Sequence, residues 1–184
     1  MPERKDVRGA VTLPQIVIVD YDPDWPQAFE QEHKRIDGAL ANVAGVADVE
    51  HVGSTAVPGL AAKPIIDIMI GVRELSDGER GVGPLVGLGY EYLGEYGVPG
   101  RLYFRKGSPR SHHIHLVQHG GDFWERHLLF RNLLREQPDL RDQYAALKRA
   151  MAEQYGANRE GYTEAKTSFI QSALAQGREQ RPQP

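Results

Sequence analysis

"HVGSTAVPGLAAKPIIDIMIGV", residues 51–72, decides the fold. Its second half, residues 63–72, is apolar on both faces, which predicts a central strand covered on both sides. One carboxylate, Asp67, stands in the middle of that run. It is in phase with Ile65 and Met69, while Ile66, Ile68 and Ile70 face the other way. An ionised carboxylate on a covered sheet face is costly unless something charged meets it. A divalent cation suits, because Mg²⁺ takes one or two carboxylates together with substrate phosphates. Ahead of the strand, Gly53-Ser54 is a permissive turn that lets backbone N–H groups approach an anion, and Thr55 adds a second hydroxyl. Lys63 either contacts phosphate, pairs with Asp67 or simply caps the start of the strand. Asp67 has a structural alternative too, as an acid hydrogen-bonded to the backbone of residues 53–55.

The rest of the chain frames this segment. Residues 14–20, "PQIVIVD", read as a strand. Trp25, Phe29, Ile36, Leu40 and Val43 then recur at helical steps, with Asp22 or Asp24 to cap the helix and a proline just inside it. "VADVEHV" is a further strand, and a short helix is expected from about Asp77 with Ser76 as its cap. "YEYLGEY", "RLYFRKG" and "SHHIHLVQ" read as short strands between Gly and Pro signals. After Gly121 the period becomes helical: residues 122–137, a second helix opened by Pro138, and a last one over residues 159–176. Gly156 is a C-cap candidate and Asn158 an N-cap candidate. The expected plan is a mixed α/β core over residues 14–120 and a three-helix cap over residues 121–177, with flexible termini at residues 1–13 and 178–184.

Bulk composition narrows the class. The 184 residues suffice for one domain with a real core. With no cysteine, disulfides and thiolate metal sites are excluded. A net charge of −3 argues against a general nucleic-acid binder. No stretch approaches a membrane span, and the charged start lacks an apolar signal region, so a soluble cytoplasmic protein is expected.

The order strand, Gly-Ser turn, spacer, acid-bearing strand resembles the signature of the nucleotidyltransferase superfamily. "HVGSTAVPGLAAKPIIDIMI", "HHIHLV" and "LLFRNLLREQPDLRDQYAALK" resemble the GrpB family, also called UPF0157, over roughly residues 15–172. Tyr162, Lys166, Phe169 and Ile170 belong to the same likeness. The resemblance implies a nucleotidyltransferase-like α/β (α+β) fold, a mixed β-sheet with flanking helices and a C-terminal helical subdomain. It implies a nucleoside triphosphate gripped by Gly53, Ser54 and Thr55, and a divalent metal on Asp67. Mg²⁺ or Mn²⁺ would polarise the α-phosphate for attack by an acceptor as yet undefined. Some family members are fused to dephospho-CoA kinases.

One position departs from the superfamily pattern. A second acid is expected two residues after Asp67, where this chain has Met69, a poor ligand for a hard cation. His113 and His115 alternate onto one face and are the best substitutes, as metal ligands that would favour Zn²⁺ or Ni²⁺, or as a general base. Arg105, on a predicted strand, either faces the cleft as a triphosphate contact or lies on an exposed edge. Lys166 lies in an apolar helical stripe and either snorkels to water or reaches a phosphate. His51 is read equally as a core or a site residue. Tyr144 reads as core, and His112, His127 and Lys148 as surface positions. Met69 keeps a second reading open: a degenerate nucleotide- or metabolite-binding module of the same fold.

Overall fold

The computed structural model describes residues 16–156 and 158–179. Five strands form one mixed sheet: β1 (Val46–Val52), β2 (Ile66–Val72), β3 (Glu91–Tyr92), β4 (Leu102–Lys106) and β5 (His112–Gln118). Their order is β1-β2-β5-β4-β3, so the stretch at residues 66–72 lies inside the sheet as expected. β2 runs antiparallel to β1 and parallel to β5, and β4 runs antiparallel to β5 and β3. Asp67 is therefore flanked by Val52 on one side and His113 on the other.

The two sheet faces carry different loads. On one, Ile66, Ile68, Ile70, Ile114, Leu116 and Phe104 meet Trp25, Phe29, Ile36 and Leu40 of α1 (Trp25–Leu40). Ile36, Ile68 and Ile70 have no exposed surface, and each such side chain stabilises the fold by roughly 2 kcal/mol. On the other face Met69 packs with Val52, Val117 and Trp124, the last from α4 (Asp122–Glu136). Helix α5 (Pro138–Tyr155) joins through Tyr144, which packs with Val57, Leu60 and Leu134. The sheet face that carries Asp67 is thus roofed by the helical half only in part, and a cleft remains between them.

Several expectations need correction. The β-branched run at residues 16–20 is not a strand: it makes a single bridge, Val19 to Ala62, and Val17 is left 58% exposed. Pro14 and Gln15 lie outside the described residues. The helix near Asp77 is two short ones, α2 (Leu75–Arg80) and α3 (Val82–Gly87), and Ser76 falls inside the first rather than capping it. The last helix is broken into α6 (Arg159–Ala165) and α7 (Thr167–Glu179), so four helices follow the sheet instead of three. Helix α7 continues through Glu179, past the point where a flexible tail was expected; the remaining terminal expectations, at residues 1–13 and 180–184, fall outside the described residues. Asn158 caps α6 as expected, its side chain accepting from the Gly161 N–H. Gly156 ends α5 at φ +52°. Among the described residues no helix is long and apolar enough to cross a membrane.

Candidate functional site

The Asp67 carboxylate is reached from β5. His113 Nδ1 lies 3.0 Å and His115 Nε2 3.8 Å from Asp67 Oδ1. A carboxylate only accepts, so His113 Nδ1 carries the proton and its Nε2 keeps a lone pair. That Nε2 is buried and without a hydrogen-bond partner. His115 is in the reverse tautomer. Its Nδ1 lies 3.3 Å from Nη1 of Arg101, and a guanidinium can only donate. Its proton therefore sits on Nε2, facing Asp67. Burial works against a charged Asp67, but the two imidazole donors outweigh it and hold the carboxyl well below the usual range. Burial likewise pushes His115 down, Asp67 opposing it and Arg101 adding to it.

Gly53 fixes the other side of the carboxylate. Its φ is +71°, in the left-handed region, and a β-carbon there would stand 2.5 Å from Asp67 Oδ2. Only glycine satisfies both the conformation and the approach. The Gly-Ser turn and the acid, 14 residues apart in the chain, are thereby locked together in space. Asp67 is met by the two histidines rather than by the backbone of residues 53–55.

A cleft of about 1300 Å³ opens beside this pair, and Asp67, 28% exposed, lines it together with Ser54, Lys63, His113, Lys148 and Lys166. Lys148 is the residue that sequence reasoning missed. Expected on the surface, it is 2% exposed, and its Nζ donates to Ser54 Oγ at 3.0 Å and to the Ala61 carbonyl. A signal existed: Lys148 follows the buried Tyr144 by four residues, on the same helical face. Burial, then Lys166 and Arg149, push its ammonium down to about 7. Lys166 stands at the break between α6 and α7, its Nζ 4.1 Å from the Tyr162 ring centre, and Lys63 Nζ is 4.4 Å from the same ring. Burial and Lys63 push Lys166 down to about 8. Burial first, and neighbouring cations second, leave Lys148 and Lys166 less willing to hold a proton, and Lys63 lies against the same ring as Lys166.

Other predicted residues turn out differently. Thr55 lines the cleft, but its hydroxyl donates to the Ile65 carbonyl at 3.1 Å and lies 3.0 Å from His51 Nε2, which makes it a structural link. His51 is a core residue, stacked on Phe29, and burial pushes it down to about 4. Arg105 does not line the cleft; at the sheet edge it makes a two-pronged pair with Glu91 of β3. His127 is not a surface residue either, since it stacks on Phe123 with ring centres 3.9 Å apart. His112 is half-buried, 2.9 Å from Ser111 Oγ.

The donor set fits one cation better than two. Met69 occupies the place of a second acid with no exposed surface, sealed under Trp124. Glu50, its neighbour across β1, is taken up by Arg131. His115 Nδ1 is taken by Arg101, and its Nε2 faces Asp67 from 3.8 Å. Among the described residues no three His, Asp or Glu side chains form a ready cation cage. What opens on the cleft is the Asp67 carboxylate, the unpartnered His113 Nε2 being buried, so a cation here would complete its shell with ligand oxygens and water.

The chain is thus an α+β protein in which a glycine turn is pressed on a strand-borne acid under a helical roof. The chain matches the GrpB protein family over residues 15–176 and belongs to it. It is 43% identical over 165 residues to the UPF0157 protein PA4798 of Pseudomonas aeruginosa and 36% identical over 160 residues to the UPF0157 protein YqkA of Bacillus subtilis. The matches cover 87% and 86% of this chain, and it spans 66% and 46% of those proteins. The crystal structure of GrpB from Enterococcus faecalis superposes with a TM-score of 0.80 at 37% identity, over 89% of this chain and 98% of that one. Cid1 in complex with its short product ApU is a remoter likeness, at 12% identity and a TM-score of 0.49 over 71% of this chain and 40% of that one, and carries nothing about chemistry.

Proposed function

We propose that the chain is a metal-dependent nucleotidyltransferase, moving a nucleotidyl group from a nucleoside triphosphate to a hydroxyl-bearing acceptor. The observation that carries this reading is the ionised, cleft-facing Asp67 pressed against the Gly53-Ser54 turn, with Lys63, Lys148 and Lys166 lining the same cleft. The polyphosphate lies along Ser54 and the three lysines, which offset its charge. Asp67 holds a divalent cation, Mg²⁺ or Mn²⁺ by the hardness of its oxygen, and that cation would polarise the α-phosphate. The acceptor oxygen bonds to the α-phosphorus. The bond from that phosphorus to the α–β bridging oxygen breaks, and pyrophosphate leaves with the electron pair. The hydroxyl proton passes to the Asp67–His113 pair, whose carboxylate opens on the cleft and is steadied by the imidazole at Nδ1.

Buried Met69 favours a second reading, a nucleotide- or metabolite-binding module that has lost the transfer step. Pyrophosphate release separates the two. With a mixture of triphosphates and Mg²⁺ or Mn²⁺, the transferase reading expects release that falls at least 100-fold in Asp67→Asn. Tight binding of a triphosphate without any release would select the binding module instead.

A further inference from the structure

On the side of Asp67 away from Ser54, the cleft is lined by rings. The ring centres of Tyr103 and His113 are 5.5 Å apart, and Tyr96 stacks on Tyr103 at 5.1 Å and 14°. Tyr96 stands at the cleft rim, 59% exposed, and belongs to none of the apolar clusters of the described residues. Its φ is +46°, the one positive value among the described non-glycine residues, a conformation a tyrosine seldom holds. Arg101 keeps it there. That buried guanidinium donates to the Tyr96 carbonyl at 2.8 Å and to the Glu95 carbonyl at 3.1 Å, lies 4.7 Å from the Tyr103 ring centre and reaches His115. The Glu95 carboxylate accepts from the Gly100 N–H at 2.7 Å and closes the loop. A strained, exposed ring held this firmly, on a ladder of rings that ends at Asp67, calls for a ligand.

We infer that Tyr96 is a stacking platform for the acceptor, which is therefore a molecule carrying a planar aromatic ring and a hydroxyl within reach of His113. The inference rests on the transferase reading. Ser54 and Lys148 mark where the leaving polyphosphate lies, and in-line displacement puts the attacking oxygen on the opposite side of the α-phosphorus, over the rings. Arg110, also lining the cleft, adds a cation there. A ring laid on Tyr96 gains the affinity of base–aromatic stacking, and a ring-free polyol gains none of it.

The test is fluorescence titration of the full chain carrying Tyr96→Trp, whose exposed indole is distinct from the buried Trp25 and Trp124. Titrations use adenosine, uridine or N-acetyltyrosinamide, with ribose and glycerol as ring-free controls, all with tripolyphosphate and Mg²⁺ present. The platform predicts saturable quenching by at least one ring-bearing probe and none by ribose or glycerol; which probe acts identifies the acceptor's ring. In calorimetry beside the native chain, Tyr96→Ala weakens that probe about tenfold, Tyr96→Phe keeps it, and both leave tripolyphosphate affinity unchanged. Absence of quenching by every ring-bearing probe, or unchanged affinity in Tyr96→Ala, overturns the platform. If tripolyphosphate still binds in that case, the transferase reading survives; if tripolyphosphate fails to bind the native chain, that reading itself falls.

Discussion

Lys148 shows at the scale of one residue how burial changes the behaviour of a charge. Its ammonium is enclosed with Ser54 and the Ala61 carbonyl, over the ring of Tyr144 and near Lys166 and Arg149, and among the described residues no carboxylate is a hydrogen-bond or ion-pair partner. In the folded chain burial, then Lys166 and Arg149, push that ammonium down to about 7, against an ordinary value of 10.5 in the unfolded chain. Between those values the unfolded state binds more protons, so this group makes the free protein more stable as pH rises. An anion beside Lys148 reverses the preference by raising its pKa. Tripolyphosphate binding is therefore expected to take up a proton and to weaken from pH 7 to pH 9. Calorimetry in two buffers of different ionisation enthalpy reads the uptake, and Lys148→Met should reduce it, leaving the share that Lys166 takes up. Asp67, the Gly-Ser turn and the alternation of His113 with His115 were legible in the sequence because each is a local pattern. Lys148 was obscured because a lysine in an amphipathic helix ordinarily faces water, and only its spacing from Tyr144 said otherwise. The role of Arg101 depends on a loop conformation that no period encodes.

At the scale of elements, the runs that find partners in the sheet were read correctly, short strands included, and the one that finds a single bridge was not. Strands β1, β2, β4 and β5 and helices α1, α4 and α5 follow their hydrophobic periods closely. The run at residues 16–20 has strand composition but finds one partner, in the loop before β2. The break at Lys166 carries no Gly or Pro to announce it. A polar tie that sequence reasoning also missed joins α1 to the sheet: Glu32, 4% exposed, accepts from Lys106 of β4 at 2.7 Å and from Tyr90 at 3.0 Å. Burial opposes its charge, but Lys106 and Tyr90 prevail and hold its carboxyl below the ordinary value of 4.5. A lowered carboxylate contributes stability above its unfolded pKa and loses it as pH falls through the folded value. Glu32→Gln should cost about 3 kcal/mol at pH 7, because it strands Lys106, and much less at pH 3. Denaturant unfolding at the two pH values measures both, and an equal loss at each would contradict the assignment.

The whole molecule carries a net charge of −3, yet it gathers three lysines around one cleft. The cleft lies where the sheet meets the helical roof: Ser54 and Asp67 come from the sheet side, Lys148 and Lys166 from the helices. A polyphosphate bound there would cross-brace the two, with a cation on Asp67 joining it to β2. The central claim is that this cleft holds a triphosphate through Asp67 and a divalent ion. Its most direct test is calorimetric titration with non-hydrolysable triphosphate analogues, with Mg²⁺ or Mn²⁺ and with EDTA, against the native chain and Asp67→Asn. The account predicts binding that needs the metal and weakens at least tenfold in Asp67→Asn; no binding with either metal, or equal affinity in the variant and in EDTA, would contradict it.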